Sequence, residues 1–149
     1  MSDLQAAIAI AVEAHAGQLC KSGRPYILHP LRVMFALDRP DDDDEMRCAA
    51  VLHDVVEDTD VTLEDLRERG FSARVVALLD LLTHREEESY SAYIARLAPD
   101  PAARRIKRAD LRDNMDITRL NAALSERDHA RLDRYQRAWN QLMEAERGP

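Results

Sequence analysis

The sequence is poor in aromatic residues, glycine and cysteine, and each shortage excludes a class of protein. Phe, Trp and Tyr make up 5% of the chain, and 4 of 149 residues are glycine. Sandwiches and barrels draw on aromatic and β-branched residues for strands and on glycine for hairpin turns, so helices are expected. Two cysteines, Cys20 and Cys48, are too few for a disulfide scaffold. Apolar runs such as Ala6–Val12 are short, far below the ~18 residues of a membrane span, and no membrane partner is expected. The opening MSDLQAAIAIAV has no basic stretch of the secretory kind, so a cytoplasmic location is expected. Basic residues are also in deficit, 21 Lys and Arg against 28 Asp and Glu, for a net charge of −7. A protein that grips nucleic-acid backbone is usually basic, and no nucleic-acid partner is expected. A small anionic substrate stays compatible, because a bound cation and a few local Lys or Arg reverse the field inside a cleft.

What is present is 46% hydrophobic and 33% charged, which suits a folded chain and not a disordered one. The length predicts a single domain over 1–149, large enough to bury roughly 68–70% of its unfolded surface. The expected fold class is all-α, a single-domain helical bundle. Asp3 caps a first helix to about Ala16, with Leu4, Ile8, Ala11 and His15 on one face and Gly17 as the stop. A connector over 18–28 leads to a helix that Pro30 opens from the first helical position. Asp41–Asp44 read as favourable anions before a helix from about Glu45 to Glu57. Thr62 with Asp65 and Ser125 with Asp128 have capping-box spacing, and Ser72 caps a Val- and Leu-rich helix. Glu86–Glu88 read as a solvated link before a helix over Tyr90–Leu97. Pro99 and Pro101 start a long helix to about Leu120, and a last helix over 125–147 docks through Leu132, Tyr135, Trp139 and Leu142.

Two helices carry polar residues where apolar ones belong. In the 45–57 helix the stripe of Met46, Ala49 and Ala50 runs into His53, with Asp54 next to it. In the 101–120 helix Ile106 and Ile117 share a face with Asp110 and Asn114. A carboxylate on a buried face is costly unless it is paired or holds a metal. With His29 before another helix, the chain offers two imidazoles and two carboxylates, a donor set for a divalent first-row metal. Glu57 lies three or four residues from His53 and Asp54, on an overlapping helix face, so it can take a proton from water without being a ligand. Lys21, Arg24, Arg32, Lys107 and Arg112 are candidates for phosphate contacts.

The motifs themselves resemble a known family. AHAGQLCKSGRPYILHPLRV, AAVLHDVVEDTDVTLEDL and IKRADLRDN are similar, in order and spacing, to segments of the hydrolase domain of RelA/SpoT-type proteins. That domain is one of the HD-domain metal-dependent phosphohydrolases, and the closest branch is the small stand-alone alarmone hydrolases. The resemblance runs from about Ile8 to Leu120. It implies an all-α fold of the HD-domain type and one divalent metal, usually Mn, held by His29, His53, Asp54 and Asp110. It implies hydrolysis of the 3′-pyrophosphate of guanosine tetra- or pentaphosphate to GDP or GTP and pyrophosphate. Glu57 and Asp58 match the motif linked to water activation and proton handling. Lys21, Ser22, Tyr26 and Asn114 match positions around the nucleotide. The synthetase half of long family members does not fit in this chain.

Three positions depart from the family pattern. Cys20 stands where an Arg stacks on the guanine base, Leu111-Arg112-Asp113 replaces Arg-Leu-x, and Ile117 replaces a Thr. Cys20 favours one alternative, an HD phosphohydrolase acting on another nucleotide phosphoester; a second, a non-catalytic nucleotide- or partner-binding module, predicts loss of a metal ligand or of the Glu57-Asp58 pair, and neither is lost. Oligomeric state is not legible.

Overall fold

The computed structural model describes residues 3–148. Met1, Ser2 and Pro149, the outermost residues of the expected 1–149 domain, lie outside the described residues. The described chain is helical: α1 (Leu4–Ala14), α2 (Leu28–Phe35), α3 (Asp44–Leu52), α4 (Val55–Asp58), α5 (Leu63–Glu68), α6 (Ala73–Leu82), α7 (Tyr90–Leu97), α8 (Pro101–Asn114) and α9 (Glu126–Arg147). A 3₁₀ turn covers Ile117–Arg119. The only extended pairing among the described residues is a single bridge between Leu19 and Pro25, inside the α1–α2 connector.

Local chemistry sets most boundaries. Asp3 accepts from the backbone N–H groups of Gln5 and Ala6, Asp43 from Met46, and Asp100 from Ala103 ahead of Pro101. Thr62/Asp65 and Ser125/Asp128 form reciprocal capping boxes. Each such cap contributes about 1 kcal/mol by satisfying a helix-end N–H. After α1 the chain turns at Gly17, whose φ of +80° is the left-handed region that side chains disfavour.

α3 is the centre of the bundle. It is flanked by α1, α2, α6 and α8, and its residues Cys48–Leu52 are fully buried. Val33 of α2, Leu79 of α6, Ile94 of α7 and Ile106 and Leu111 of α8 complete that core. α9 lies outside it, against α7 and α8, and buries only Ala138 and Leu142 among its described residues. Polar contacts hold it as well: the guanidinium groups of Arg108 and Arg112 lie 5.0 and 5.8 Å from the Trp139 ring.

Four sequence-based boundaries need correction. The expected 45–57 helix stops at Leu52 and restarts at Val55, with the break at His53-Asp54. The expected 101–120 helix ends at Asn114, so Ile117 leaves its predicted face and is 47% exposed. Helix α2 opens at Leu28, which puts Pro30 at its third position; a first-turn residue has no intrahelical N–H partner to lose. Glu88 is no solvated link, because Arg96 grips it at 2.6 Å.

Candidate metal centre and cleft

His29 is the second residue of α2, and His53 closes α3. Both rings are buried, and each is oriented from behind. His53 Nδ1–H donates to the Ala50 carbonyl at 2.6 Å, and His29 Nδ1–H to Asp113 Oδ2 at 2.6 Å. A carbonyl can only accept, so Nδ1 of His53 carries the hydrogen and Nε2 is the atom turned inward. Asp113 is in turn fixed by Arg32, whose Nε donates to Oδ1 at 2.7 Å.

The two Nε2 atoms meet two carboxylates. His29 Nε2 is 2.9 Å from Asp110 Oδ1 and 3.6 Å from Asp54 Oδ2. His53 Nε2 is 3.2 Å from Asp110 Oδ1 and 3.1 Å from Asp54 Oδ2. His53 and Asp54 are adjacent in the chain where α3 gives way to α4, and their side-chain ends still meet. Donor atoms of His29, His53 and Asp54 all lie within 4.8 Å of one another. Asp110 enters from α8 and also accepts from Lys107 Nζ at 2.7 Å and Asn114 Nδ2 at 3.1 Å. Tyr26 donates to Asp54 Oδ2 at 2.5 Å.

The electrostatics fit a cation at this point. Burial works against charge on His53, yet Asp54 and Asp110 outweigh it and hold its pKa well above the ordinary imidazole value. Burial likewise opposes the charged form of Asp54, but His53 pulls its pKa down to about 2. Asp110 is held well below the carboxylate range, because Lys107 and His53 overcome its burial. Inward imidazole nitrogens facing ionised oxygens form a His/Asp donor set, and a divalent ion can take the place of the protons there.

The cluster opens into a cleft of about 460 Å³. Glu57 and Asp58 line it next to Asp54. They belong to the short α4 and not to a continuation of α3. Glu57 Oε1 accepts the His84 backbone N–H at 2.7 Å. Burial raises the pKa of both Glu57 and Asp58, with Asp54 adding to the effect.

Lys21, Ser22, Tyr26, Lys107 and Asn114 all line the cleft, as does Arg32. Arg24 and Arg112 do not; Arg112 stacks near Trp139 instead. Cys20 lines the cleft with its Sγ 3.0 Å from Ser22 Oγ, a contact that lowers the thiol pKa. Sequence reasoning missed Asp113, for which the signal was its place three residues after Asp110 on one helix. It also missed His84, Tyr90 and Tyr93, and read Tyr135 as packing only. Arg131 and Arg134 of α9 reach the cleft as well, and nothing in their spacing separates them from surface arginines.

Known proteins are similar to this chain over most of its length. The chain is 38% identical over 121 residues to a guanosine-3′,5′-bis(diphosphate) 3′-pyrophosphohydrolase of Aquifex aeolicus, covering 76% of this chain and 17% of that protein. It is 37% identical over 123 residues to the bifunctional (p)ppGpp synthase/hydrolase SpoT of Escherichia coli, covering 75% and 17%. It is 37% identical over 128 residues to a GTP pyrophosphokinase of Streptomyces coelicolor, covering 80% and 15%. The chain thus spans about a sixth of the length of these curated relatives. A solved structure described as a metazoan ortholog of SpoT that hydrolyzes ppGpp and plays a role in starvation responses superposes with a TM-score of 0.77. It is 24% identical and covers 97% of this chain and 86% of that one, so the fold is shared. A family model described as HD domain matches residues 7–115, and with the His53-Asp54 pair at the centre of the matched helices, this chain belongs to the HD domain family.

Proposed function

We propose that this protein is a metal-dependent phosphohydrolase that removes the 3′-pyrophosphate of guanosine tetra- or pentaphosphate. The observation that carries the reading is the buried His29–His53–Asp54–Asp110 cluster opening into a cleft beside Glu57. Relatives named for this hydrolysis support the substrate.

His29, His53, Asp54 and Asp110 hold one divalent ion, Mn²⁺ in our reading. Such an ion supplies positive charge at the phosphoryl oxygens and a more acidic water. Glu57 accepts a proton as water attacks phosphorus and the bond from phosphorus to the ribose 3′-oxygen breaks, and a proton is delivered to that oxygen to leave a 3′-hydroxyl. Burial raises the pKa of Glu57, which makes the carboxylate a stronger base. Asp58 is the second proton-handling group. Lys21, Ser22, Tyr26, Lys107 and Asn114 position the nucleotide, Lys107 and Asn114 also steadying Asp110. In this reading the reaction takes place in the cytoplasm, within a single domain that takes a small nucleotide and neither nucleic acid nor membrane.

A second reading is favoured by one observation. Cys20, where the family stacks an Arg on the base, gives the base wall of the cleft no cation at that position, which suits another nucleotide phosphoester. Purified protein with Mn²⁺ should release pyrophosphate and GDP from guanosine tetraphosphate faster than it hydrolyses any other member of a nucleotide panel. Turnover of a different phosphoester with none of the alarmone overturns the substrate. No turnover of any member by metal-loaded protein overturns the enzyme.

A further inference from the structure

The α6–α7 connection, residues 83–89, is knotted around one ion pair. Arg96 of α7 grips Glu88 with both arms, Nε to Oε2 at 3.1 Å and Nη2 to Oε1 at 2.6 Å. The same guanidinium donates to the carbonyls of Asp80 at 3.2 Å and Thr83 at 2.8 Å, at the end of α6. Glu88 in turn accepts the backbone N–H of Arg85 at 3.0 Å, and its carbonyl accepts from His84 Nε2 at 2.8 Å. The His84 ring is stacked on Tyr93, 4.9 Å between centroids. Both side chains of the pair are mostly shielded, 20% and 17% exposed.

The knot reaches Glu57 through one atom. The His84 backbone N–H points at Glu57 Oε1 at 2.7 Å. Glu57 has no other hydrogen-bond partner among the described residues. Its remaining neighbours act through charge: Asp54, Asp58 and Lys107. One oxygen of Glu57 is therefore pinned and the other is left to face the cleft. An N–H to a carboxylate is a charge-assisted bond, and it orients only if the amide itself cannot move. A short loop between two helices has no such rigidity of its own; here the Arg96–Glu88 fork supplies it.

We infer that Arg96 is a positioning residue for Glu57, acting through Glu88 and the His84 amide. This rests on the proton-handling role proposed for Glu57. A purely structural reading of Arg96 is that it satisfies the last carbonyls of α6. That reading predicts lost stability with no selective effect on the chemical step.

The two readings separate in a double-mutant cycle on metal-loaded protein, with guanosine tetraphosphate as substrate. Arg96→Met should lower kcat by about 10–100-fold, the range for misplacing a reacting group, and leave KM and metal content unchanged. Arg96→Lys keeps the charge but not the fork and should fall between. In a Glu57→Gln background Arg96→Met should have no further effect on kcat. The His84 amide should lose hydrogen-exchange protection in Arg96→Met while the amides of α3 keep theirs. If Arg96→Met slows Glu57→Gln as much as it slows the wild type, or if the His84 amide stays protected, the inference is overturned while the role of Glu57 stands. If Glu57→Gln turns over like the wild type, the role of Glu57 falls and the inference with it. If the wild type leaves guanosine tetraphosphate intact, the substrate proposal falls, and the amide measurement alone decides whether the knot holds the contact.

Discussion

The floor and the rim of the cleft are built differently. On the floor, His29, His53 and Asp110 are each no more than 6% exposed, and each is held from a second direction, His29 by Asp113, His53 by the Ala50 carbonyl and Asp110 by Lys107. On the rim, Lys21 and Arg134 are exposed and make no ion pair among the described residues, and Arg131 pairs with Asp128 on its own helix. Buried charges on the floor keep their state because their neighbours hold it. Exposed charges on the rim gain little from any one contact and tolerate exchange. Under the proposed function, the floor fixes the reaction type and the rim sets which molecule is presented to it.

The most severe test of this contrast removes a floor residue. His53→Ala or Asp54→Ala should lose the bound metal, measured by elemental analysis, and bring turnover down to assay background. Metal retention with full activity in either variant places the chemistry elsewhere. Glu57→Gln leaves the donor set intact. It should keep the metal and slow kcat by roughly 10²–10⁴-fold, the range for a lost acid–base group.

Burial by itself is not the distinguishing property, and Asp42 checks this. Asp42 is 6% exposed and pairs with Arg105 at 2.8 Å on a side of α8 turned away from the cleft. Burial pushes its pKa up, but Arg105 and the Arg39 N–H prevail and lower it. A lowered carboxylate contributes stability that is full above its unfolded value, about 4, and is lost as pH falls below it. Asp42→Asn should cost about 1–3 kcal/mol at pH 7, read by denaturant unfolding, with the deficit shrinking toward pH 3. Its kcat should not change. A large drop in kcat would mean that any buried charge near α8 counts as floor.

The smallest effect belongs to the rim. A guanidinium stacked on a base contributes about 0.5–2 kcal/mol, or roughly two- to thirty-fold in affinity. Cys20→Arg should lower KM for guanosine tetraphosphate by about that factor, with kcat and metal content unchanged. A changed kcat would show that rim and floor are coupled.

The helical class, most caps and the convergence of His29, His53, Asp54 and Asp110 were legible in the sequence, because polar residues interrupting apolar stripes carry a visible cost. The break at His53-Asp54 was not. Periodicity runs through it, and no breaker residue marks the stop. Glu88 and Arg96 are eight residues apart on either side of a helix start, and composition gives such a pair no mark. The α9 arginines escaped for the same reason: their meaning comes from where the helix docks and not from their spacing.

Asp110 gives the site a place in time. Its bonds to His29 and His53 span 81 and 57 residues of chain. A ribosome makes His29, His53 and Asp54 first and Asp110 last, with Lys107 and Asn114 beside it on α8. A nascent chain stopped before α8 has three donors and no helix to close them. Closing contacts across so long a separation requires the intervening helices to dock beforehand. The four donors therefore come together only after α8 has docked on the helices made before it.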